Sequence, residues 1–140
     1  MTELQTPVRP SVPTRRVVRA GAGAALAGVL AAAVVAVLAV ALGAPADAVQ
    51  LQPASYVTFS VVGVLAGTAV WSWVVRRSPH PARLLARVVP GVLALTVVPD
   101  VGLALVGAAT WGTAVALVVM HLAVAAAAVA VLQRAVPARG

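Results

Sequence analysis

Four stretches of this chain run for about twenty residues or more with almost no charge, at residues 20–43, 54–75, 88–107 and 113–133. An α-helix needs about 20 mostly apolar residues to cross a hydrocarbon core of about 30 Å, so each stretch is long enough for one crossing. In water such helices would expose more apolar surface than a soluble domain tolerates. Composition agrees, with 62% of the 140 residues hydrophobic and 9% charged, against about 45–50% and about 25% in soluble domains. A disordered chain needs the opposite balance. The expected fold is all-α, a four-transmembrane-helix bundle built as two antiparallel hairpins.

The breaks between the stretches carry loop chemistry. Pro45 and Pro53 bracket the first, Pro79 and Pro81 interrupt the second, and residues 108–112 form a short third break that predicts a tight final hairpin. The domain reading is a Pro/Arg-rich cytoplasmic tail over residues 1–16, the helical domain over 17–134, and a second cytoplasmic tail over 135–140. Pro7, Pro10 and Pro13 stand at a polyproline spacing, but a disordered tail explains them without a partner.

All ten basic residues are arginines, and their distribution orients the chain. Arg9, Arg15, Arg16 and Arg19 precede the first span. Arg76, Arg77, Arg83 and Arg87 join the second to the third, and Arg134 and Arg139 follow the fourth. With four spans these three regions share one side of a membrane, and the other two loops hold no basic residue. The positive-inside rule makes that side cytoplasmic, with both termini inside. The expected location is the cell membrane, as a multi-pass protein.

The net charge of +7 therefore reads as a topology signal rather than as a nucleic-acid surface, which would gather its charge on one face among base-reading residues. Anionic lipid headgroups are the expected partners, at Arg76, Arg77, Arg83 and Arg87 above all. Tyr56 and Trp111 fall at the outer boundary, Trp71 and Trp73 at the inner end of the second span, where aromatic belts form.

The segment Thr14-Arg15-Arg16-Val17-Val18-Arg19 partly matches a twin-arginine export signal, and Ala46-Asp47-Ala48 has the form of a cleavage site. The apolar run between them is about 24 residues, whereas a signal core has about 7–15. A retained first span is the expectation.

Within lipid, small residues govern how closely helices approach. The first span carries Gly21, Ala25, Gly28, Ala32, Ala36, Ala39 and Gly43 at helical spacing. The second carries Tyr56, Ser60, Gly63 and Gly67, the last two a G-x-x-x-G pair suited to packing inside the chain or against a second copy. Ala114, His121, Ala125 and Ala128 share a face of the fourth. Gly28-Val29-Leu30-Ala31 is echoed by Gly91-Val92-Leu93-Ala94, a repeat that low complexity also produces.

Only Asp100 and His121 are ionisable and well inside the spans. Each lies about ten residues from the middle of the last hairpin, near Thr110–Trp111, which at about 1.5 Å per residue sets both at one depth, about 12–16 Å below the turn. They form a candidate intramembrane polar pair, and such residues are expensive in hydrocarbon. Pro99 beside the acid removes a hydrogen bond to the Leu95 carbonyl. Two readings stay open: an interhelical bond that fixes hairpin register, or a proton site with Asp100 as acceptor and His121 as relay. Two ligands are too few for a metal.

No enzyme is expected. The chain has no Gly-rich phosphate loop, no G-x-S-x-G elbow and no H-E-x-x-H, and its other acids, Glu3 and Asp47, lie in the tail and the outer loop. Zero cysteines exclude a disulfide framework and a thiolate zinc site. His80, between two prolines, reads as solvated loop. No cofactor is expected.

Arg19 just before the first span, the basic proline-containing loop, the proline-bearing third span and Met120-His121-Leu122 in the fourth carry a resemblance over roughly residues 16–134. On them the chain resembles a family of small uncharacterised four-helix integral membrane proteins from high-GC bacteria. The resemblance implies topology rather than mechanism. The chain does not look like the small multidrug exporters, which need an acid in helix 1, nor like small fluoride channels, which use pore phenylalanines and asparagines. The functional expectation is a non-enzymatic membrane component, an accessory or interaction subunit, with a homo-oligomer or a membrane partner in view. The alternative is a small proton-linked transporter or channel using Asp100 and His121.

Overall fold

The computed structural model describes residues 13–138. Four α-helices account for most of them: α1 Thr14–Ala41, α2 Pro53–Arg77, α3 Pro81–Leu105 and α4 Trp111–Ala135. All four are long and apolar enough to cross a membrane. The expectation for residues 1–12 falls outside the described residues.

Two helix starts differ from the sequence expectation in the same way. Helix α1 begins at Thr14 and α3 at Pro81, so Arg15, Arg16, Arg19, Arg83 and Arg87 sit on opening turns, not on tails or loops. An apolar window stops at a charge, but the backbone ladder does not. Arginine tolerates the position because its methylene stem lies along the helix while the guanidinium reaches past it. What remains of the second loop is Ser78–His80, where the His80 N–H donates to Ser78 Oγ at 3.2 Å.

The other ends are closed by backbone chemistry legible in the sequence. Gly43 and Gly107 take positive φ, +100° and +74°, and each sits just past a helix. Ala44 N–H donates to Ala39 O at 2.9 Å and Ala108 N–H to Leu103 O at 2.9 Å. These are Schellman closures, in which glycine adopts the left-handed conformation at little cost. Pro53 and Pro81 open α2 and α3 at first-turn positions, where proline's missing N–H is no loss. Thr110 caps α4 by accepting from the Thr113 N–H at 3.1 Å.

Helix α1 is the spine of the bundle, packed against α4 in the largest interface and against α2 in the next. Its buried face is Ala20, Gly21, Ala24, Ala25, Gly28, Ala32 and Ala36. The glycines matter at two points. A Cβ on Gly28 would lie 3.2 Å from both Val124 Cγ1 and Val64 Cγ2, and one on Gly21 would lie 3.1 Å from Thr68 Cγ2. Gly28 is thus the point where three helices meet backbone to side chain. Pairing Gly21 with Thr68 and Gly28 with Val64 runs the two helices antiparallel, and Gly23 with Val131 against Gly28 with Val124 does the same for α4.

Gly63 and Gly67, the G-x-x-x-G pair, are exposed, with open space where a side chain would stand. The face that α2 turns inward is Ser60, Val64, Thr68, Trp71 and Val74. Gly91, the echo of Gly28, is over open space too, so the sequence repeat has no packing counterpart.

Two apolar clusters hold the ends. Near the arginine-bearing end, Trp71, Val74, Leu85, Leu132 and Val136 pack together with Ala20 and Ala24. Trp71 is 4% exposed, and its indole Nε1–H donates to the Val136 carbonyl at 3.0 Å. This corrects the interfacial anchor expected of Trp71: its depth fits a boundary, but its ring faces the core because Val136 supplies the partner that a buried indole needs. Trp73 and Trp111 remain exposed. At the opposite end, Leu51 from a 3-10 turn, Val49–Leu51, inserts among Ala32, Ala36, Ala116 and Met120, with Tyr56 half-buried beside them.

Candidate functional site

Helix α3 sets the geometry of the site because it is fully buried only near its two ends. Its buried residues are Pro81 and Leu85 at the start and Asp100 and Ala104 at the finish. Between them residues 86–99 contain no buried position, and 11% of its span is buried against 28% in each of the others. Its main neighbour is α4. Pro90 and Pro99 lie inside it, and each removes a backbone donor. Thr96 Oγ turns back to its own helix, donating to Leu93 O at 2.9 Å.

At the far attachment the structure brings Asp100 and His121 together. His121 Nδ1 lies 3.0 Å from Asp100 Oδ2 and 2.9 Å from the Leu117 carbonyl oxygen, one turn back on its own helix. A carbonyl only accepts, so in this geometry Nδ1 carries the proton. That N–H is directed to Leu117 O. Asp100 Oδ2 faces the same nitrogen off the N–H direction and has no hydrogen-bond partner among the described residues, although it is buried. The contact is therefore a close polar approach across α3 and α4 rather than a directed hydrogen bond. The Asp100 side chain is 12% exposed and that of His121 35%, so the acid lies in the interface and the imidazole at its margin.

The remaining site residues separate by location. Arg76 and Arg77 end α2, and Arg83 and Arg87 lie one turn apart on the opening of α3. All four are exposed. With Arg15, Arg16 and Arg19 on α1 and Arg134 in the last turn of α4, every described arginine lies at one end of the bundle. Asp47 is at the opposite end, exposed. No group of three or more His, Cys, Asp or Glu side chains suited to a metal occurs among the described residues.

A sequence model for a family of unknown function, DUF6069, matches residues 12–138. The chain belongs to that family. The match spans every helix, including α3 and both members of the polar pair. No curated protein and no solved structure matches the chain.

Sequence reasoning missed two residues of this architecture. Trp71 was legible only as an aromatic near a boundary, since its partner is a main-chain carbonyl 65 residues away. The pairing role of the Leu117 carbonyl had a weak signal, the i, i+4 spacing to His121.

Proposed function

We propose that this family member is a multi-pass integral protein of the cell membrane, with both termini and its arginine-bearing end cytoplasmic, acting as a non-enzymatic membrane component or accessory subunit. The observation that supports this reading is the gathering of all described arginines at one end of four apolar helices. Anionic headgroups at that face meet Arg76, Arg77, Arg83 and Arg87. Asp100 and His121 serve as a polar clip that keeps α3 against α4, where apolar packing alone holds little of α3.

Single-cysteine labelling tests the orientation, and the natural absence of cysteine makes it clean. Exposed positions are required, so Asp47→Cys and His80→Cys are the suitable probes. An impermeant maleimide added to intact cells should label the first and spare the second. The reverse pattern refutes the topology.

One observation favours a second reading, a small proton-linked transporter or channel. Asp100 Oδ2 is a buried acceptor with no donor aimed at it, the arrangement a proton-binding site requires, and a half-exposed imidazole stands beside it as a relay. Proton flux in liposomes that depends on both Asp100 and His121 would establish this reading. Flux indistinguishable from empty liposomes leaves the pair as a clip.

A further inference from the structure

The opening turns of α1 gather Arg15, Arg16 and Arg19, and among the described residues the two acids, Asp47 and Asp100, lie on other elements. Arg15 and Arg19 stand one turn apart and form a ridge, with Arg16 beside them, all exposed. No acid lies in the first turn of α1. A helix N-terminus already bears partial positive charge, so basic residues there repel it and an anion relieves both.

A shallow, open groove of about 520 Å³ runs along this ridge between α1 and the last turns of α4. Arg15, Arg16 and Arg19 line one side chiefly through their apolar stems, with Pro13 beside them, and its floor is Ala20 from α1 with Val131 and Ala135 from α4. Further along α1, Leu26 and Leu30 are exposed. The arginine ridge thus has an apolar floor on the α4 side and exposed leucines further along its own face.

We propose that this groove holds one anionic diacyl phospholipid, its phosphate on the Arg15–Arg19 ridge and an acyl chain on the Ala20–Val131–Ala135 floor. Guanidinium groups suit phosphate because their donors match its oxygens two at a time. A soluble phosphate compound would use the ridge and leave the apolar floor unmatched; a lipid uses both. The inference rests on the reading that the chain spans a bilayer. It does not depend on which end is cytoplasmic.

The test uses the full chain in nanodiscs whose two leaflets share one mixture of phosphatidylglycerol and phosphatidylcholine, followed by native mass spectrometry of the lipid retained on release. The expected result is one phosphatidylglycerol retained with about tenfold or greater preference, since each arginine near a surface favours anionic lipid. The combined R15Q/R16Q/R19Q variant should lose that preference. The R134Q variant, altered at the same end of the bundle but outside the groove, should keep it within about twofold. Val131→Trp fills the floor without changing charge and should also abolish retention; Ala135→Leu is the milder version if that chain does not fold.

Equal losses per arginine in the two charge variants would mean diffuse attraction and overturn the site. So would retention that survives a filled floor, or no preference for the anionic lipid. Enrichment seen only after residues 1–12 are removed would assign the groove to the chain's own N-terminus instead. Failure of the chain to enter nanodiscs of any composition would count against membrane insertion itself, a result separate from all of these.

Discussion

Helices α1 and α3 are both apolar enough to span a membrane, and they are used in opposite ways. Helix α1 buries a continuous stripe of alanine and glycine, with Ala24 and Ala32 at 0% exposure, and lies between α2 and α4. Helix α3 has larger side chains and two internal prolines, and it is fully buried only near its ends. The difference teaches what holds helices together once water is absent. Exposed valine and leucine cost nothing against lipid tails, so apolarity alone does not recruit a helix. Close backbone approach does so for α1. A polar contact does so for the half of α3 away from the arginines.

The largest effect should come from spoiling the close approach. Gly28→Leu puts a branched side chain where even a Cβ would be 3.2 Å from valines on two helices. Overpacking costs about 1–3 kcal/mol and at times more, and two partners would have to move together at this position. The melting midpoint in detergent should fall further than for Trp71→Phe or for either substitution in the polar pair. An unchanged midpoint would dissolve the contrast between α1 and α3.

Next is the knot near the arginine-bearing end. Trp71→Phe keeps a ring but leaves the Val136 carbonyl without its donor, a loss of about 1–3 kcal/mol for a buried acceptor. Limited proteolysis should then reach the C-terminal residues after Ala135 sooner than in the parent. If cleavage there is no faster, the indole bond does not anchor that segment.

The polar pair should rank third. Asp100→Ala and His121→Ala each weaken the attachment of α3, and the double variant should lose less than the summed singles. Coupling energies between polar groups in membranes average about 0.6 kcal/mol and reach about 1.7 kcal/mol. A double-mutant cycle by denaturant titration measures this directly. Strict additivity would show that α3 is held by its ends through other contacts.

The smallest effect belongs to the exposed G-x-x-x-G pair. Gly63→Ala and Gly67→Ala enter open space, so in a monomer they should leave stability unchanged or slightly raise it, since alanine favours a helix by about 1 kcal/mol over glycine. A clear loss, accompanied by a shift in mass by light scattering, would instead show that this face packs against a second copy.

Much of this molecule follows from the order of residues. The four apolar runs set the number of helices, because a run that long has no other economical way to satisfy its backbone in hydrocarbon. Gly43 and Gly107 mark two helix ends and Pro53 and Pro81 two beginnings. The described arginines fall at one end because successive helices alternate in direction, so the start of α1, the α2–α3 junction and the end of α4 share an end. The equal spacing of Asp100 and His121 from the last turn brings them to one depth, since rise per residue is the same in both helices.

Tertiary packing decided the rest, and it did so through rotation about each helix axis. Gly28 and Gly63 are alike in sequence, yet one lies under two valines and the other faces outward. In a chain this rich in alanine and glycine every face of a helix offers small residues, so periodicity does not select which one turns inward. Trp71 became core where Val136, the residue that ends α4, presents its carbonyl to the indole. Depth along a helix is a matter of counting and can be read from the sequence. Azimuth depends on what stands opposite, and that is fixed only when all four helices meet.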